Sequence, residues 1–422
     1  MSKISSKVGL HLVKTVKHCF PDIASMIDKQ VNDARDKRGK TYSMHEAILS
    51  VVLMFLLKEG SRNNYNQDRA EPKFSRNIRR LLKIRLMHGD SFNDVLTEVN
   101  EDSLQKLKAS LVRVLVKHKV LYRYRHNGKY IVAIDGTGTH SFTHDYSGTC
   151  LSKTSKNGVT AYSHAVLEAK LVTANGFCIS LASVWIENNR EGEHNKQDCE
   201  LMAFKRLAAK IKELYPRLPI VIVADALYAN APVMDLCKAC LWDYLLVIKE
   251  GVLKDLNEEI GLRPDKKTQN TKRGKFIYLS DLELGAHQLS WLRWEEAGNS
   301  FSWITNMEIK DAGTATKLQE VGRLRWKIEN EGFNTQKNLG YKLEHKYSRV
   351  DFNATKNYYQ CLQIAHLIEQ LTLLEKATKS LLDAKTSIMK LSERIRNILA
   401  LTNIDIKAID KLMERKIQIR FE

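Results

Sequence analysis

Two stretches of sequence decide the fold: IVAID at residues 131–135 and IVIVAD at residues 220–225. Each is an unbroken run of apolar, mostly β-branched residues that ends in an aspartate. Apolar runs without polar alternation are typical of strands that are covered on both faces, and such strands occur mostly in parallel sheets. The two runs therefore predict two buried central strands of an α/β fold.

The aspartates that end these runs, Asp135 and Asp225, are candidate metal ligands. In open α/β sheets the ligand crevice lies at the carboxyl ends of the strands, and a carboxylate buried there without a partner is unfavourable. If the two strands are neighbours, the carboxylates converge, and a cation between them relieves their repulsion. A hard, oxygen-ligated ion such as Mg²⁺ suits this pair. The alternative is that each aspartate only caps the turn after its strand.

The composition indicates a polyanionic partner. The chain has 422 residues, with 67 Lys and Arg against 49 Asp and Glu, so its formal net charge is +18. Such an excess attracts nucleic acid first and an anionic membrane surface second. The longest apolar stretch, residues 47–57, is too short to span a bilayer, and the N-terminus lacks the pattern of a secretory signal. We therefore expect a cytoplasmic protein without a membrane partner, whose seven cysteines are free thiols.

Residues 1–125 are predicted to form a helical domain. Ser43 and Glu46 have the spacing of a capping box, and the leucines within 104–115 keep helical spacing. Between these helices, residues 62–85 are rich in arginine and asparagine and show little periodicity, which suits contacts with DNA phosphates. The candidate DNA-binding residues in this segment are Arg62, Arg69, Arg76, Arg79 and Arg80. A solvated charged face is the alternative.

At about residue 126 the pattern changes from helices to alternating strands and helices. The expected order is a strand, a β-hairpin that turns at Asn175-Gly176, a helix over about 197–214, a parallel strand, and a further helix and strand. This is the order of a ribonuclease H-like sheet, in which the first and fourth strands lie side by side. In that arrangement the two aspartates would meet.

A β-rich insertion is expected over about 251–310, because strand-like pieces follow a charged loop there. Tryptophans in such a region usually belong to the core. The three in question are Trp291, Trp294 and Trp303. Helices return at about residue 315 and continue to the end, so we predict a catalytic domain over 126–350 and a helical C-terminal region over 351–422.

The segment RWKIENE at 325–331 offers a third acidic residue. Arg325 and Glu329 are four residues apart on one helical face, so the arginine can orient the carboxylate or bind a phosphate beside it. Glu331 is the competing carboxylate, but the residue four before it is Lys327. An ordinary surface ion pair is the alternative interpretation.

Other polar residues near the first two strands are interpreted as structural. His140 and His164 are expected to pack rather than to bind a metal, because Mg²⁺ prefers oxygen ligands. The acidic residues of segment 191–198 are expected in a solvated loop that ends in a helix cap at Asn195.

Together, Asp135, Asp225 and Glu329 resemble the DDE triad of bacterial insertion-sequence transposases, in particular the large family whose catalytic domain carries a β insertion before the glutamate. The likeness covers roughly residues 130–350. It is found in IDGTGTHSF at 134–142, NKQDCE at 195–200, ADALYAN at 224–230, WITN at 303–306 and RWKIENEGFNTQKNLGYKLEH at 325–345.

The resemblance implies cut-and-paste movement of an insertion sequence, by metal-dependent phosphodiester hydrolysis and strand transfer at terminal inverted repeats. Asp135, Asp225 and Glu329 would hold two Mg²⁺ or Mn²⁺ ions, and Arg325 would stabilise phosphate charge at the cleaved strand. The implied partners are double-stranded DNA, as inverted repeats and as target, and a second subunit contacted through helices of 351–422. The implied location is the bacterial cytoplasm, at the nucleoid.

The helix signature of that family is Tyr, two residues, Arg, three residues, Glu, six residues, Lys. With Arg325 and Glu329 in their places, Gly322 stands at the tyrosine position and Gln336 at the lysine position. Lys337, one residue later, is the candidate for the basic role. Two alternatives stay open: a metal nuclease on the same fold that does not transpose, and a DNA-binding descendant of a transposase that no longer cuts.

Overall fold

The computed structural model describes residues 3–35, 40–188, 198–382, 387–405 and 421. The chain begins with helices, which confirms the helical prediction for the N-terminal region. These helices are α1 (Lys3–Cys19), α2 (Ile23–Gln30), α3 (Met44–Leu56), α4 (Arg62–Ala70), α5 (Pro72–Leu82), α6 (Phe92–Glu98) and α7 (Glu101–Lys117). The capping box that begins α3 is formed, with the Ser43 hydroxyl accepting from the Glu46 amide.

The arginine-rich segment 62–85 is helical, as α4 and α5, so its interpretation as a poorly periodic stretch was wrong. Ser61 caps α4, and Pro72 begins α5. The buried residues of α5 recur at helical spacing, but the polar residues between them obscure the pattern in the sequence. These buried residues are Phe74, Asn77, Ile78 and Leu81.

The sheet that follows has ten strands within the described residues. They are β1 (Tyr130–Phe142), β2 (Leu151–Thr154), β3 (Thr160–Val172), β4 (Cys178–Ile186), β5 (Ile220–Ala224), β6 (Asp243–Val247), β7 (Lys267–Asn270), β8 (Lys275–Leu284), β9 (His287–Glu296) and β10 (Asn299–Thr305). The remaining helices are α8 (Glu200–Leu214), α9 (Ala231–Ala239), α10 (Lys254–Leu262), α11 (Ala312–Arg323), α12 (Thr335–Asn338), α13 (Phe352–Leu373), α14 (Lys376–Lys379) and α15 (Ile388–Leu401), with a π-helix at Ile328–Asn334 between α11 and α12.

The strand order is β2-β3-β1-β5-β6-β10-β9-β8-β7, and β4 pairs with β3. β1 pairs with β5 in parallel, and β5 with β6 in parallel, whereas β3 and β4 form the predicted antiparallel hairpin. The protein therefore has an α/β fold with a mixed sheet. The predicted adjacency of the two aspartate-bearing strands is confirmed.

One expectation about the sheet was wrong. β1 does not end at Asp135 but continues to Phe142, because its antiparallel pairing with β3 extends to that residue after the pairing with β5 has stopped at Ala133. The predicted β-rich insertion is present as β7–β10, and it continues the central sheet because β10 pairs antiparallel with β6.

The sheet lies between two apolar cores. Val132 and Ile134 of β1 face the larger core, which includes the N-terminal helices and α8. Ile131 and Ala133 face the smaller core, which includes α11 and the π-helix. Because side chains alternate along a strand, Asp135 lies on the side of the smaller core.

α13 is buried along nearly its whole length and packs against α3, α6 and α7. Its surface is therefore covered within its own chain, and a dimer contact through the helices of 351–422 stays a prediction. The domain boundaries at 125 and 350 stay predictions, since one continuous core joins the helices to the sheet. In the described part of the chain, no helix is long and apolar enough to cross a membrane.

Candidate active site

The parallel pairing of β1 with β5 positions the two aspartates. Tyr130 pairs with Ile220 and Ala133 with Val223, so each β1 residue lies beside the β5 residue ninety positions later. Asp135 and Asp225 have the same offset, two residues beyond the last pair. Ala133 and Val223, two residues before each aspartate, face the smaller core. The structure thus brings the two aspartates to the same edge of the sheet.

Asp135 lies in β1 beyond Ala133, the last residue of this strand that pairs with β5. Its Oδ1 accepts a hydrogen bond from the Gly136 amide at 2.9 Å, and its Oδ2 lies 3.9 Å from Nη1 of Arg325. Burial raises the pKa of Asp135 to about 7; Arg325 opposes this rise, whereas the negative charge of Glu329 adds to it. Asp135 therefore lies in a setting that favours a nearby positive charge.

Asp225 directly follows β5 and caps the short 3₁₀ turn Ala226–Tyr228. Its Oδ1 accepts from the Leu227 amide at 3.0 Å. The turn-cap interpretation thus applies to Asp225 but not to Asp135, whose strand continues. Asp225 is only half-buried.

Arg325 joins two of the three predicted acidic residues. Its Nη2 donates to Oε1 of Glu329 at 2.7 Å, while Nη1 faces Asp135 at 3.9 Å. Only 8 % of the arginine side chain is exposed, against 37 % of the Glu329 side chain. The pair is therefore a largely buried bridge between the sheet and the helical segment after α11, and the interpretation as an ordinary surface pair was wrong.

The neighbouring carboxylate, Glu331, pairs with Lys327. Residues two apart on a helical segment point in different directions, so the Lys327–Glu331 pair lies on another face than the Arg325–Glu329 pair. The structure therefore favours Glu329 over Glu331 as the third acidic residue.

The two departures from the transposase helix signature have structural reasons. A Cβ atom on Gly322 would lie 2.7 Å from the Trp303 ring, so a tyrosine does not fit at this position. Gln336 is fully buried and hydrogen-bonded to Gln363 and His366. A charged lysine side chain would therefore lose contact with solvent at this position. Lys337 is half-buried and pairs with Glu344 at 2.9 Å.

Glu200, the first residue of α8, is a fourth carboxylate at this edge, and the sequence reasoning missed it. A Cβ atom on Gly136 would lie 2.6 Å from Oε1 of Glu200, and Tyr228 donates to its Oε2 at 3.1 Å. Burial raises the pKa of Glu200, and Asp225 raises it further. The signal in the sequence was weak, because an acidic residue in the first turn of a helix is common.

The donor types at this edge suit a hard divalent ion, because they are carboxylate oxygens without a soft ligand among them. The space beside Gly136, which a side chain would fill, is occupied by the carboxylate of Glu200. Within the described residues, however, no three His, Cys, Asp or Glu side chains converge as a ready-made metal site. Asp135 and Glu329 are both turned toward Arg325.

The five candidate DNA-binding arginines differ in their surroundings. Arg69 donates to the Leu86 carbonyl at 2.9 Å, which gives it a structural role, and Arg62 lies half-buried beside Tyr358. The other three are exposed on α5, opposite its buried face. They are Arg76, Arg79 and Arg80. These three are the exposed ones among the five candidates.

The tryptophans and histidines that were expected to have structural roles are packed in the protein interior. The three tryptophans of the insertion are buried, as expected. Burial lowers the pKa of His140 to about 4 and that of His164 to about 3, so both are neutral packing residues. Segment 191–197, with the cap expected at Asn195, lies outside the described residues; α8 begins at Glu200 with Cys199 at the N-cap position.

The comparisons with known proteins assign no family. The sequence matches no protein-family model, and it has no significant match among the curated proteins.

Proposed function

We propose that this protein is a DNA transposase that cuts and joins DNA at the terminal inverted repeats of an insertion sequence. The observation that carries the proposal is the bridge formed by Arg325, whose guanidinium contacts Asp135 of the central strand and Glu329 of the later helical segment. Two chain segments remote in sequence thereby contribute charged groups to one edge of the sheet. The transposase resemblance singles out these same residues.

The strand order supports a ribonuclease H-like core for this function. A long first strand, an antiparallel hairpin, a helix and a parallel strand beside the first one occur in that order. Ligand sites in α/β sheets lie at the carboxyl edge of parallel strands, and the aspartates follow this rule. The β-rich insertion then continues the same sheet before the segment that carries Glu329.

Asp135, Asp225 and Glu329 would hold divalent ions, Mg²⁺ or Mn²⁺, of which two are expected. Such ions activate an attacking oxygen and stabilise a leaving oxygen in phosphodiester chemistry. The raised pKa of Asp135 supports the assignment, because a carboxyl group in that setting gains most from a nearby positive charge. The carboxylates must be ionised to bind, so binding should strengthen as the pH rises past 7.

The surroundings of Arg325 support a phosphate-binding role. Its guanidinium is buried, fixed by Glu329 and stacked on the Trp326 ring at 4.4 Å. A guanidinium presents several N–H groups in one plane, so it can bind phosphate oxygens while it keeps its carboxylate partner. It would hold the phosphodiester over Asp135 and limit the movement of the scissile strand.

The π-helix at Ile328–Asn334 would account for a lysine shifted by one residue from its place in the helix signature. A π-helical turn takes up one residue more than an α-helical turn, so residues after it are displaced by about one position around the helix. The side chain of Lys337, the eighth residue after Glu329, would then point where the seventh residue points in a regular α-helix, which is the place of the signature lysine. This supports Lys337 as the basic residue in place of the buried Gln336.

Double-stranded DNA is the proposed substrate, and the excess of basic residues supports it. Two element ends must be held together, which implies two subunits. Because α13 is buried within its own chain, we propose that a second copy contacts a surface other than this helix.

The test is a cleavage assay with Mg²⁺ and labelled DNA that carries the inverted repeats flanking the gene. A transposase makes nicks at the repeat ends, and Asp135→Asn and Glu329→Gln should each remove them. The matched control is Glu331→Gln, which changes a carboxylate two residues away and should still cut. Cleavage of any sequence would indicate a nuclease, and a band shift without cleavage would indicate a protein that only binds.

A further inference from the structure

The helical segment that carries Glu329 packs on a buried lysine of the sheet. Lys170 of β3 is fully buried and lies two residues beyond Glu168, which pairs with Asp135 across β1 and β3. A Cβ atom on Gly332 of the π-helix would lie 3.3 Å from Cδ of Lys170. Because glycine has no side chain, the π-helix can approach β3 closely, three residues after Glu329.

One glutamine of α13, Gln363, joins Lys170 to the end of the same segment. Its Oε1 accepts from Nζ of Lys170 at 2.7 Å and from Nε2 of Gln336 at 2.9 Å, and its Nε2 donates to Oε1 of Gln336 at 3.1 Å. Nε2 of Gln336 also lies 2.9 Å from Nδ1 of His366. These four side chains are at most 2 % exposed, so water does not compete for the bonds.

A primary amide suits position 363 because it accepts and donates hydrogen bonds at once. A carboxylate has no donor, and an apolar side chain has neither group. Loss of the amide would deprive both Gln336 and Lys170 of a partner in the interior, where unpaired polar groups are unfavourable. A shift of segment 328–338 would relieve this, and Glu329 would move with it.

The position of this segment sets the distance between Glu329 and Asp135. Arg325 donates to Glu329 at 2.7 Å but lies 3.9 Å from Asp135, so it holds the first carboxylate more closely than the second. The contact through Gln363 adds a second constraint, because β3 is paired with β1 at Asp135 itself. Small misplacements of reacting groups lower the rate of catalysis steeply.

We propose that Gln363 is a positioning residue of the proposed active site. Through Gln336 it fixes the π-helical segment against β3, and so holds the Glu329 carboxylate at its working distance from Asp135. The inference rests on the part of the proposed function that assigns divalent ions to these two carboxylates. It gives a role in cleavage to a buried side chain that acts only through its neighbours.

The test compares Gln363→Met with a matched variant, Gln360→Met, one helical turn earlier on α13. Gln360 is fully buried and also forms three side-chain hydrogen bonds, one of them with a buried lysine. Its partners are Lys108, Glu101 and Ser183. These partners belong to α7 and β4 and not to the segment after α11. Both variants lose three buried hydrogen bonds, so both should lower the unfolding temperature to a similar extent.

Each variant is measured well below its unfolding temperature, for the rate of DNA cleavage at saturating Mg²⁺ and DNA and for the dissociation constant of DNA. We expect Gln363→Met to cut about tenfold more slowly or worse, with unchanged DNA affinity. Gln360→Met should cut within about twofold of the wild-type rate, since its bonds hold other elements. Hydrogen exchange at residues 328–338 should be faster in Gln363→Met only.

The outcomes separate the two proposals. Equal cleavage rates in Gln363→Met and Gln360→Met would overturn the positioning role and leave the transposase proposal standing. If the wild type cuts without specificity for the repeat ends, and Gln363→Met is still the slower variant, the positioning role stands and the transposase proposal falls. If the wild type neither cuts DNA nor binds Mn²⁺, both are refuted. If Gln363→Met does not fold, Gln336→Met decides, because it breaks the same link and keeps the bond between Lys170 and Gln363.

Discussion

At the residue scale, one acidic side chain far from the proposed site makes the fold sensitive to acid. Glu46 accepts from Arg85 Nε at 2.9 Å and Nη2 at 2.8 Å, and its Oε2 also accepts from the Ser43 amide. The hydrogen bond from Arg85 holds the pKa of Glu46 at about 2, below its ordinary value of 4.5. A lowered pKa in the folded state adds stability above about pH 4.5, and this is lost as the pH falls toward 2.

We therefore predict that Glu46→Gln lowers the free energy of unfolding by about 2 kcal/mol at pH 7, with allowance for the exposure of Arg85. Glutamine keeps the capping hydrogen bond, so the loss reports on charge. Urea unfolding at several pH values measures it. The difference between variant and wild type should shrink between pH 4.5 and 2, and a constant difference would contradict the assignment.

Trp326 provides an optical probe of the proposed site. It is 44 % exposed beside Arg325, whereas the other tryptophans are at most 6 % exposed. These are Trp185, Trp242, Trp291, Trp294 and Trp303. DNA bound at the Arg325 edge should therefore change the fluorescence of Trp326 alone. We predict that Trp326→Phe removes this DNA-dependent change in fluorescence. If DNA changes the fluorescence of the variant as much as that of the wild type, DNA binds elsewhere on the protein.

At the scale of elements, α13 is held to the sheet by buried polar contacts as well as by apolar packing. Lys170 of β3 is fully buried, and its Nζ donates to Gln363 of α13 at 2.7 Å and lies 3.6 Å from Glu168. Gln363 in turn bonds with Gln336, at the end of the segment that carries Glu329. The contact between β3 and α13 therefore also supports one wall of the proposed site.

We predict that Lys170→Met destabilises the protein by about 3 to 5 kcal/mol, because it removes the ion-pair partner of the buried Glu168. The double variant Lys170→Met/Glu168→Gln should recover part of this loss, since neither charge is then buried. Thermal or urea unfolding measures both. If the two losses simply add, the ion pair is not the cause.

At the scale of the whole molecule, the excess of positive charge should set the salt dependence of DNA binding. Each phosphate contact contributes about 0.9 to the slope of log K against log salt concentration. Replacement of Arg76, Arg79 and Arg80 on α5 by alanine should reduce that slope by about 2 to 3 if all three contact DNA. Fluorescence anisotropy at several salt concentrations measures the slope, and an unchanged slope would remove α5 from the DNA-binding surface.

Local patterns in the sequence predicted several elements of the fold. The unbroken apolar runs identified β1 and β5, and Asn175-Gly176 identified the turn between β3 and β4. The spacing of Arg325 and Glu329 predicted their ion pair. These features depend on residues close together in the chain, so they can be read without knowledge of the fold.

The sequence by itself therefore determined the fold class, the neighbouring strands and three acidic candidates, because periodicity and turn residues act locally. Only the tertiary structure decided that β1 continues past Asp135, that Gln336 is buried, and that Glu200 reaches Gly136. Each of these depends on contacts between residues far apart in the chain, through strand pairing, core packing and close approach to a glycine. Such contacts leave no local pattern, since either partner looks ordinary in its own segment.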